Sequence, residues 1–269
     1  MNEGVQRSDR GFGRLSHRLK PSMIIQYLND HESTEGGFSF VLDLFPNIED
    51  TYYAVRTFKL LKVDIDRNKV ANYLKSINFE EVGIPRIIYM SFYLHISLGV
   101  ELPPPLNQLL RTDWSRFPII DACYYSDNIQ KLLNQPLKSL TSSSPFQFHP
   151  QDNLQRLQKR VSGLLDHGID FNRHEIIRWV QLCQNGDGGF GFYPGTKTSY
   201  MENIYCALEI LSKLHASPWW IDTCREYILG CQTKSGGFGR APFSFPFIEA
   251  TFQAVTGLFI LDEMEGGVL

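Results

Sequence analysis

The sequence predicts an all-α protein made by repeating one helix pair, and three observations predict it. The first is a tight turn written three times: Glu35-Gly36-Gly37-Phe38, Asp187-Gly188-Gly189-Phe190 and Ser235-Gly236-Gly237-Phe238. The second is the run that follows each turn about ten residues on, always opening with glutamate. These runs begin Ile48-Glu49-Asp50-Thr51-Tyr52-Tyr53-Ala54, Met201-Glu202-Asn203-Ile204-Tyr205-Cys206-Ala207 and Ile248-Glu249-Ala250-Thr251-Phe252-Gln253-Ala254. The third is spacing. Tyr52, Val55, Phe58 and Leu61 fall at helical intervals, as do Ile204, Leu208, Leu211 and Leu214, and Thr251, Val255 and Leu258. No segment alternates for long with the period of two that a half-buried strand needs.

Taken in order, the elements alternate between two kinds. Pro21 to Asn29 reads as an outer helix, and Ile48 opens an inner one. Asp66, from Asp64-Ile65-Asp66, reads as the N-cap of an outer helix over Arg67 to Ile77. Pro85 starts an inner helix through Phe92, Tyr93 and Ile96, and Pro118 starts another through Leu132. Proline in the first helical turn costs no hydrogen bond there. Pro105 to Arg111 and Leu132 to Leu140 read as outer helices. The residues heading the inner helices are Glu49, Arg86, Asp121, Glu202 and Glu249, spaced by roughly forty residues except across one gap of twice that length. Asn153 to Leu165 fills the gap as a sixth inner helix, and His174 to Gln184 and Trp219 to Gln232 complete the outer set. Six inner helices alternating with six outer ones close into a ring, each repeat covering its neighbour's apolar face. Residues 1–15 are expected to form a flexible arm and residues 16–269 a single domain. The polar stretch Thr141 to Pro145, running on to Pro150, is expected to be a long mobile connection. The paired glycines allow positive φ where a β-carbon would clash, and the phenylalanine plugs between helices.

Composition narrows the function classes. A chain of 269 residues with 43% hydrophobic content can bury a large core. The 19 Phe and 12 Tyr suit a wide apolar interior. A net charge of −3 gives no support for nucleic-acid binding. No secretory leader and no run long enough to cross a bilayer is visible, so a cytoplasmic location is expected, with room for peripheral membrane contact. The five cysteines are an odd number with no C-x-x-C pair, and they read as buried thiols in a reducing compartment.

Gln184 to Phe190 and Gln232 to Phe238 both spell Gln-x-x-x-Gly-Gly-Phe. This repeat resembles that of protein prenyltransferase β subunits and the glutamine-aromatic motif of squalene and other terpene cyclases. The resemblance runs from Pro21 to Glu265 and implies an (α/α)6 toroid, a barrel of six inner and six outer helices. Two activities are implied, and a non-catalytic role stands beside them. In zinc-dependent prenylation the family places Asp-x-Cys at the penultimate inner helix and His at the last. Here those positions read Glu202-Asn203-Ile204 and Ala250, and isoleucine and alanine cannot hold a metal. Zinc is therefore not expected, and magnesium would enter only with a bound diphosphate. Asp121-Ala122-Cys123-Tyr124 does reproduce the Asp-x-Cys-Tyr string, but in the third unit and without a histidine in register.

Acid-initiated cyclisation is the second activity. Class II cyclases place Asp-x-Asp-Asp-Thr at an inner-helix start, and Asn47-Ile48-Glu49-Asp50-Thr51 resembles it. The resemblance makes Glu49 the proton donor beside Asp50, a role that needs a carboxyl kept protonated in an apolar cavity. Helix capping explains the same residues. The alternative from another class is a non-catalytic toroid that carries lipid or docks a second subunit. An isoprenoid is the expected ligand for a transferase or a lyase or isomerase of this kind. The expected lining is Tyr52, Tyr89, Phe92, Tyr124, Tyr205 and Phe252, whose π faces suit prenyl chains and carbocations. Arg86, Lys197 and Arg240 are the candidates for an anionic head group. Arg86 is placed unfavourably at a helix start unless it meets an acid or an anion.

Overall fold

Eleven α-helices form among the described residues of the computed structural model, which describes residues 19–42, 44–79, 83–109, 114–137 and 146–266. In chain order they are α1 (Pro21–Asp30), α2 (Ile48–Leu60), α3 (Arg67–Ser76), α4 (Pro85–Leu98), α5 (Pro104–Leu109), α6 (Ile119–Leu132), α7 (Leu154–Asp166), α8 (Arg173–Leu182), α9 (Met201–Lys213), α10 (Ile221–Gly230) and α11 (Ile248–Glu265). Two two-residue strands, β1 (Phe238–Gly239) and β2 (Pro246–Phe247), pair antiparallel across the last loop. The arm expected over residues 1–15 lies outside the described residues.

The chain forms two compact units. The first holds the described residues from His31 to Asp152 and from Arg156 to Phe171. The second holds those up to Asp30, from Asn153 to Gln155 and from Asn172 onward. In the first, α2 packs on α4 and α4 on α6, with α3 and α5 also against α4. In the second, α9 packs on α11 and on α8, and α10 on α11.

Local chemistry sets the helix starts. Asn47 caps α2 by accepting from the Asp50 amide at 2.8 Å. Asp66 caps α3 by accepting from the amides of Asn68 and Lys69 at 3.0 and 3.1 Å. Such a bond satisfies an amide that has no partner inside the helix. Pro85 sits at the first turn of α4, and Gly99 ends it at φ 70°.

The Gly-Gly-Phe turn has a spatial cause that recurs three times. A β-carbon on Gly36 would lie 2.1 Å from the Lys69 carbonyl oxygen, one on Gly188 2.2 Å from that of Thr223, and one on Gly236 2.1 Å from that of Met23. Each turn is thus pressed onto the backbone of a helix, α3, α10 or α1. Four residues further along that helix a tyrosine, Tyr73, Tyr227 or Tyr27, lies over the second glycine. Positive φ at both glycines holds only in the first turn; in the other two the second glycine makes room for a side chain, Ser199 and then Tyr227 over Gly189 and Tyr27 over Gly237, and not for the backbone angle. The motif phenylalanines Phe38, Phe190 and Phe238 are fully buried. The amides of Phe38 and Phe238 donate to Thr51 and Thr251 Oγ1 at 3.0 and 2.9 Å, tying each turn to the helix that follows it. Gln184 explains the motif's glutamine. Its Nε2 donates to the Gly188 and Trp220 carbonyls, and its Oε1 accepts from the Trp220 amide at the start of α10.

Two expectations need correction. The helix expected over Leu132 to Leu140 is not one where it is described: α6 stops at Leu132, Asn134 takes φ 53°, and Gln135 to Leu137 are irregular. The rest of that stretch, like Thr141 to Pro145, lies outside the described residues. The mobile connection expected on to Pro150 is anchored at Phe146, which is fully buried against Ile120 and Leu164 and stacks on His167 at 5.7 Å.

Candidate functional site

The first unit gathers tyrosines at the heads of α2, α4 and α6. Tyr52 contacts Tyr53, Tyr89 and Tyr93 with ring centroids 5.2, 6.0 and 5.1 Å apart. Tyr89 contacts Tyr125 at 5.9 Å, and Tyr125 contacts Tyr124 at 5.1 Å. The ring contacts run on from helix to helix: Tyr52 and Tyr89 hold the same position in successive repeats, and Tyr89 meets Tyr125, one residue past the equivalent Tyr124. Burial raises the hydroxyl pKa of Tyr52 well above its ordinary value, and that of Tyr89 as well, so these are neutral phenols. Tyr52 and Tyr125 are buried behind the wall, while Tyr89, Tyr93 and Tyr124 keep accessible surface.

Cations stand on this wall. Arg56, one turn beyond Tyr52 on α2, donates to the Tyr52 hydroxyl at 2.7 Å. Its guanidinium lies 5.2 and 5.8 Å from the Tyr52 and Tyr93 ring centres. Lys159 Nζ lies 5.1 Å from the Tyr125 ring centre. At the helix heads, Arg86 pairs with Glu49 and Lys159 with Asp121.

The second unit carries a related group by itself. Glu202, at the head of α9, pairs with Arg240, whose carbonyl accepts from the Met201 amide at 2.8 Å. Hydrogen bonding to Glu202 raises the Arg240 pKa, and its guanidinium lies 5.2 Å from the Tyr200 ring centre. Tyr205 contacts Phe252 at 5.8 Å. Lys197 is exposed in the loop before α9. Beside Glu202, Asn203 is fully buried with no partner on either polar side-chain atom.

Several expected roles change. Glu49 is half-exposed and paired with Arg86, so it is not a carboxyl isolated in an apolar pocket. The buried carboxyl is its neighbour Asp50, whose pKa burial raises. Asp50 Oδ2 accepts from Asn47 Nδ2 at 2.6 Å and from the Phe40 amide at 3.1 Å. Phe92 and Phe252 are fully buried core residues and offer no surface to a ligand. Arg240, like Arg86, is half of an ion pair. In the Asp-x-Cys string of the third unit, Asp121 is bound to Lys159, and burial raises the pKa of the Cys123 thiol. The zinc positions implied by the resemblance fall on Glu202, Ile204 and Ala250, which do not form a ligand set. Among the described residues no group of three or more His, Cys, Asp or Glu is gathered for a metal. Arg56, Lys159 and Tyr200 had no place in the sequence reading. The only signal for Lys159 was its position 38 residues after Asp121, one repeat on.

A family model for the prenyltransferase alpha-alpha toroid domain matches residues 12–89 and 154–267. That is more than half of the chain, and the chain belongs to this family. Its fold is the all-α, α-α toroid class that the repeat predicted. Among solved structures, the chain is similar to Candida albicans protein geranylgeranyltransferase-I complexed with GGPP, at 17% identity, over 94% of this chain and 79% of that one, with a TM-score of 0.37. No curated protein matches.

Proposed function

We propose that this toroid binds a polyisoprenoid along the tyrosine wall of its first unit. The carrying observation is the continuity of that wall, in which ring contacts link Tyr53, Tyr52, Tyr89, Tyr125 and Tyr124 across three helices. Tyr89, Tyr93 and Tyr124, which keep accessible surface, offer apolar ring faces to a hydrocarbon chain, and the buried Tyr52, Tyr53 and Tyr125 hold them in place. Arg86 and Lys159 stand beside the wall where a polar or anionic head group would sit, and Lys197 and Arg240 are the corresponding cations of the second unit. Magnesium would arrive only with a diphosphate.

Acid-initiated cyclisation is the second reading, and one observation favours it: burial raises the pKa of Asp50. Oδ2 is engaged with Asn47 and Phe40, which leaves Oδ1 as the oxygen to carry a proton. Incubation with geranyl, farnesyl and geranylgeranyl diphosphates and with squalene, followed by mass spectrometry, tests both readings. Binding alone gives retained, unaltered ligand that is lost in Tyr89→Ala/Tyr93→Ala. Cyclisation gives a product that is lost in Asp50→Asn and kept in Glu49→Gln. Failure to retain any of the four compounds refutes the binding assignment.

A further inference from the structure

We infer that Asn185 is a deamidation site, where the side-chain amide is lost as ammonia and the second Gly-Gly-Phe turn takes on an aspartyl or isoaspartyl residue. Asn-Gly occurs once in the chain, at Asn185-Gly186. Asn185 opens the turn: its amide donates to the Gly189 carbonyl at 2.8 Å, and its carbonyl accepts from the Gly188 amide at 2.9 Å. Gly186 is exposed, and a β-carbon there would meet nothing within 4 Å, so water and the reacting groups have room. Among the described residues the Gly186 amide donates no hydrogen bond, so its nitrogen is available as the nucleophile. Asn185 Nδ2 donates to Ser199 Oγ at 2.9 Å, the contact that its departure breaks. The turn itself does not demand a glycine at 186. The amides of Ser33 and Thr233 make the same bond to the second glycine as Asn185 does, and the residues after them are Thr34 and Lys234. Gly186 also lacks the positive φ of Gly188.

The reaction needs only water. Hydroxide takes the Gly186 amide proton, and the nitrogen attacks Asn185 Cγ. The new N–Cγ bond closes a succinimide, the Cγ–Nδ2 bond breaks, and Nδ2 takes a proton from water and leaves as ammonia. Water then opens the ring at Cγ to give aspartate, or at the main-chain carbonyl of residue 185 to give isoaspartate, which lengthens the backbone. Both products act on Ser199. Its hydroxyl accepts from Asn185 Nδ2 and donates its proton to Asp187 Oδ1 at 2.9 Å. A carboxylate at 185 removes that donor and sets a second negative charge against Asp187 across the same hydroxyl. Ser199 is buried, and its carbonyl accepts from the Tyr227 hydroxyl at 2.8 Å. It directly precedes Tyr200, the N-cap of α9. Deamidation therefore loosens the head of α9, which carries Glu202 and its partner Arg240.

Incubation of the full, folded chain at mildly alkaline pH and physiological temperature tests the inference. Tryptic peptide 179–197 carries the site, and chromatography with mass spectrometry reads it against synthetic aspartyl and isoaspartyl standards. Both products are expected to accumulate at residue 185 ahead of every other asparagine. Gly186→Ala is expected to slow conversion several-fold or more, because a β-carbon crowds the attacking nitrogen and narrows the backbone, while Tm stays that of the wild type. Gly186→Lys, which copies the third turn, is expected to do the same. Asn185→Asp, which mimics one product, is expected to lower Tm. A folded chain that stays unconverted while the guanidinium-unfolded chain converts overturns the inference, because the turn would then protect the amide. Conversion at an unchanged rate in both Gly186 variants overturns the succinimide route. An unchanged Tm in Asn185→Asp overturns the effect on α9.

Discussion

Replacing Gly236 with alanine tests how the last turn is held, and the structure sets the magnitude. Gly236 has φ 100°, and a β-carbon there would lie 2.1 Å from the Met23 carbonyl oxygen, with Met23 Cβ also within 2.9 Å. The φ strain on a non-glycine residue costs about 1–2 kcal/mol. The overlap is with backbone, so no rotamer change relieves it, and α1 must withdraw from the turn. Displacement of packed elements typically costs a further ~1–3 kcal/mol. Gly195 supplies the control, because it has φ 85° and a β-carbon there would meet nothing within 4 Å. Gly195→Ala therefore reports strain alone, and the difference between the variants isolates the seating of α1. Thermal unfolding reads it at roughly 2–4 °C per kcal/mol for a chain of this size. Gly236→Ala is expected to lower Tm by several degrees more than Gly195→Ala. Equal shifts would show that α1 does not sit on this turn. The same loop carries Arg240, so the larger effect should come with weakened pairing to Glu202, visible as a changed guanidinium environment by NMR.

Thr251→Val removes the acceptor for the buried Phe238 amide while keeping side-chain shape, and should cost about 1–3 kcal/mol in urea unfolding, whereas Thr251→Ser should restore most of it. Asn203→Leu replaces a buried amide that has no partner, so it should stabilise the chain by about 1–3 kcal/mol; a loss of stability would show that the amide is satisfied. Glu49→Gln breaks a half-exposed ion pair and should change stability by no more than about 1 kcal/mol. Burial raises the folded-state pKa of Asp50, so the folded chain holds that proton more tightly than the unfolded chain. The associated stability is complete below the unfolded value of about 3.9 and is lost as pH rises through the raised folded value. The unfolding free energy of the wild type should therefore fall relative to Asp50→Asn across that window; a constant difference would place Asp50 in water.

What the sequence made legible depended on how local each cause is. Helix starts were readable because their causes are neighbours in the chain: Asp66 caps α3 from one residue away, and Pro85 sits in the first turn of α4. The inner helix α6 ends at Leu132 as expected, but the outer helix expected over Leu132 to Leu140 ignored two breakers inside that stretch, Asn134, which takes φ 53°, and Pro136. The Gly-Gly-Phe turns were legible as turns, but their reason was not. The first glycine of each turn is excluded from carrying a side chain by a carbonyl on a distant stretch of chain, Met23 for Gly236, and no local pattern reports that distance. Aromatic wall and aromatic core were equally hard to separate. Phe92 and Tyr93 are adjacent on α4, yet one is core and the other keeps surface, because one residue turns the helix by about 100°.

The ion pairs carry the same lesson into the chemistry. Arg86, Lys159 and Arg240 each meet a carboxylate that heads a helix of the preceding repeat, a partnership that exists only once repeats are stacked. Arg56 and Lys159 also lie on tyrosine faces, 5.2 Å from the Tyr52 ring centre and 5.1 Å from that of Tyr125. A ring face already covered by a guanidinium or an ammonium is closed to a second cation on that side. The proposed isoprenoid site therefore depends on the rings that keep accessible surface, Tyr89 and Tyr124, whose apolar faces suit a neutral hydrocarbon chain.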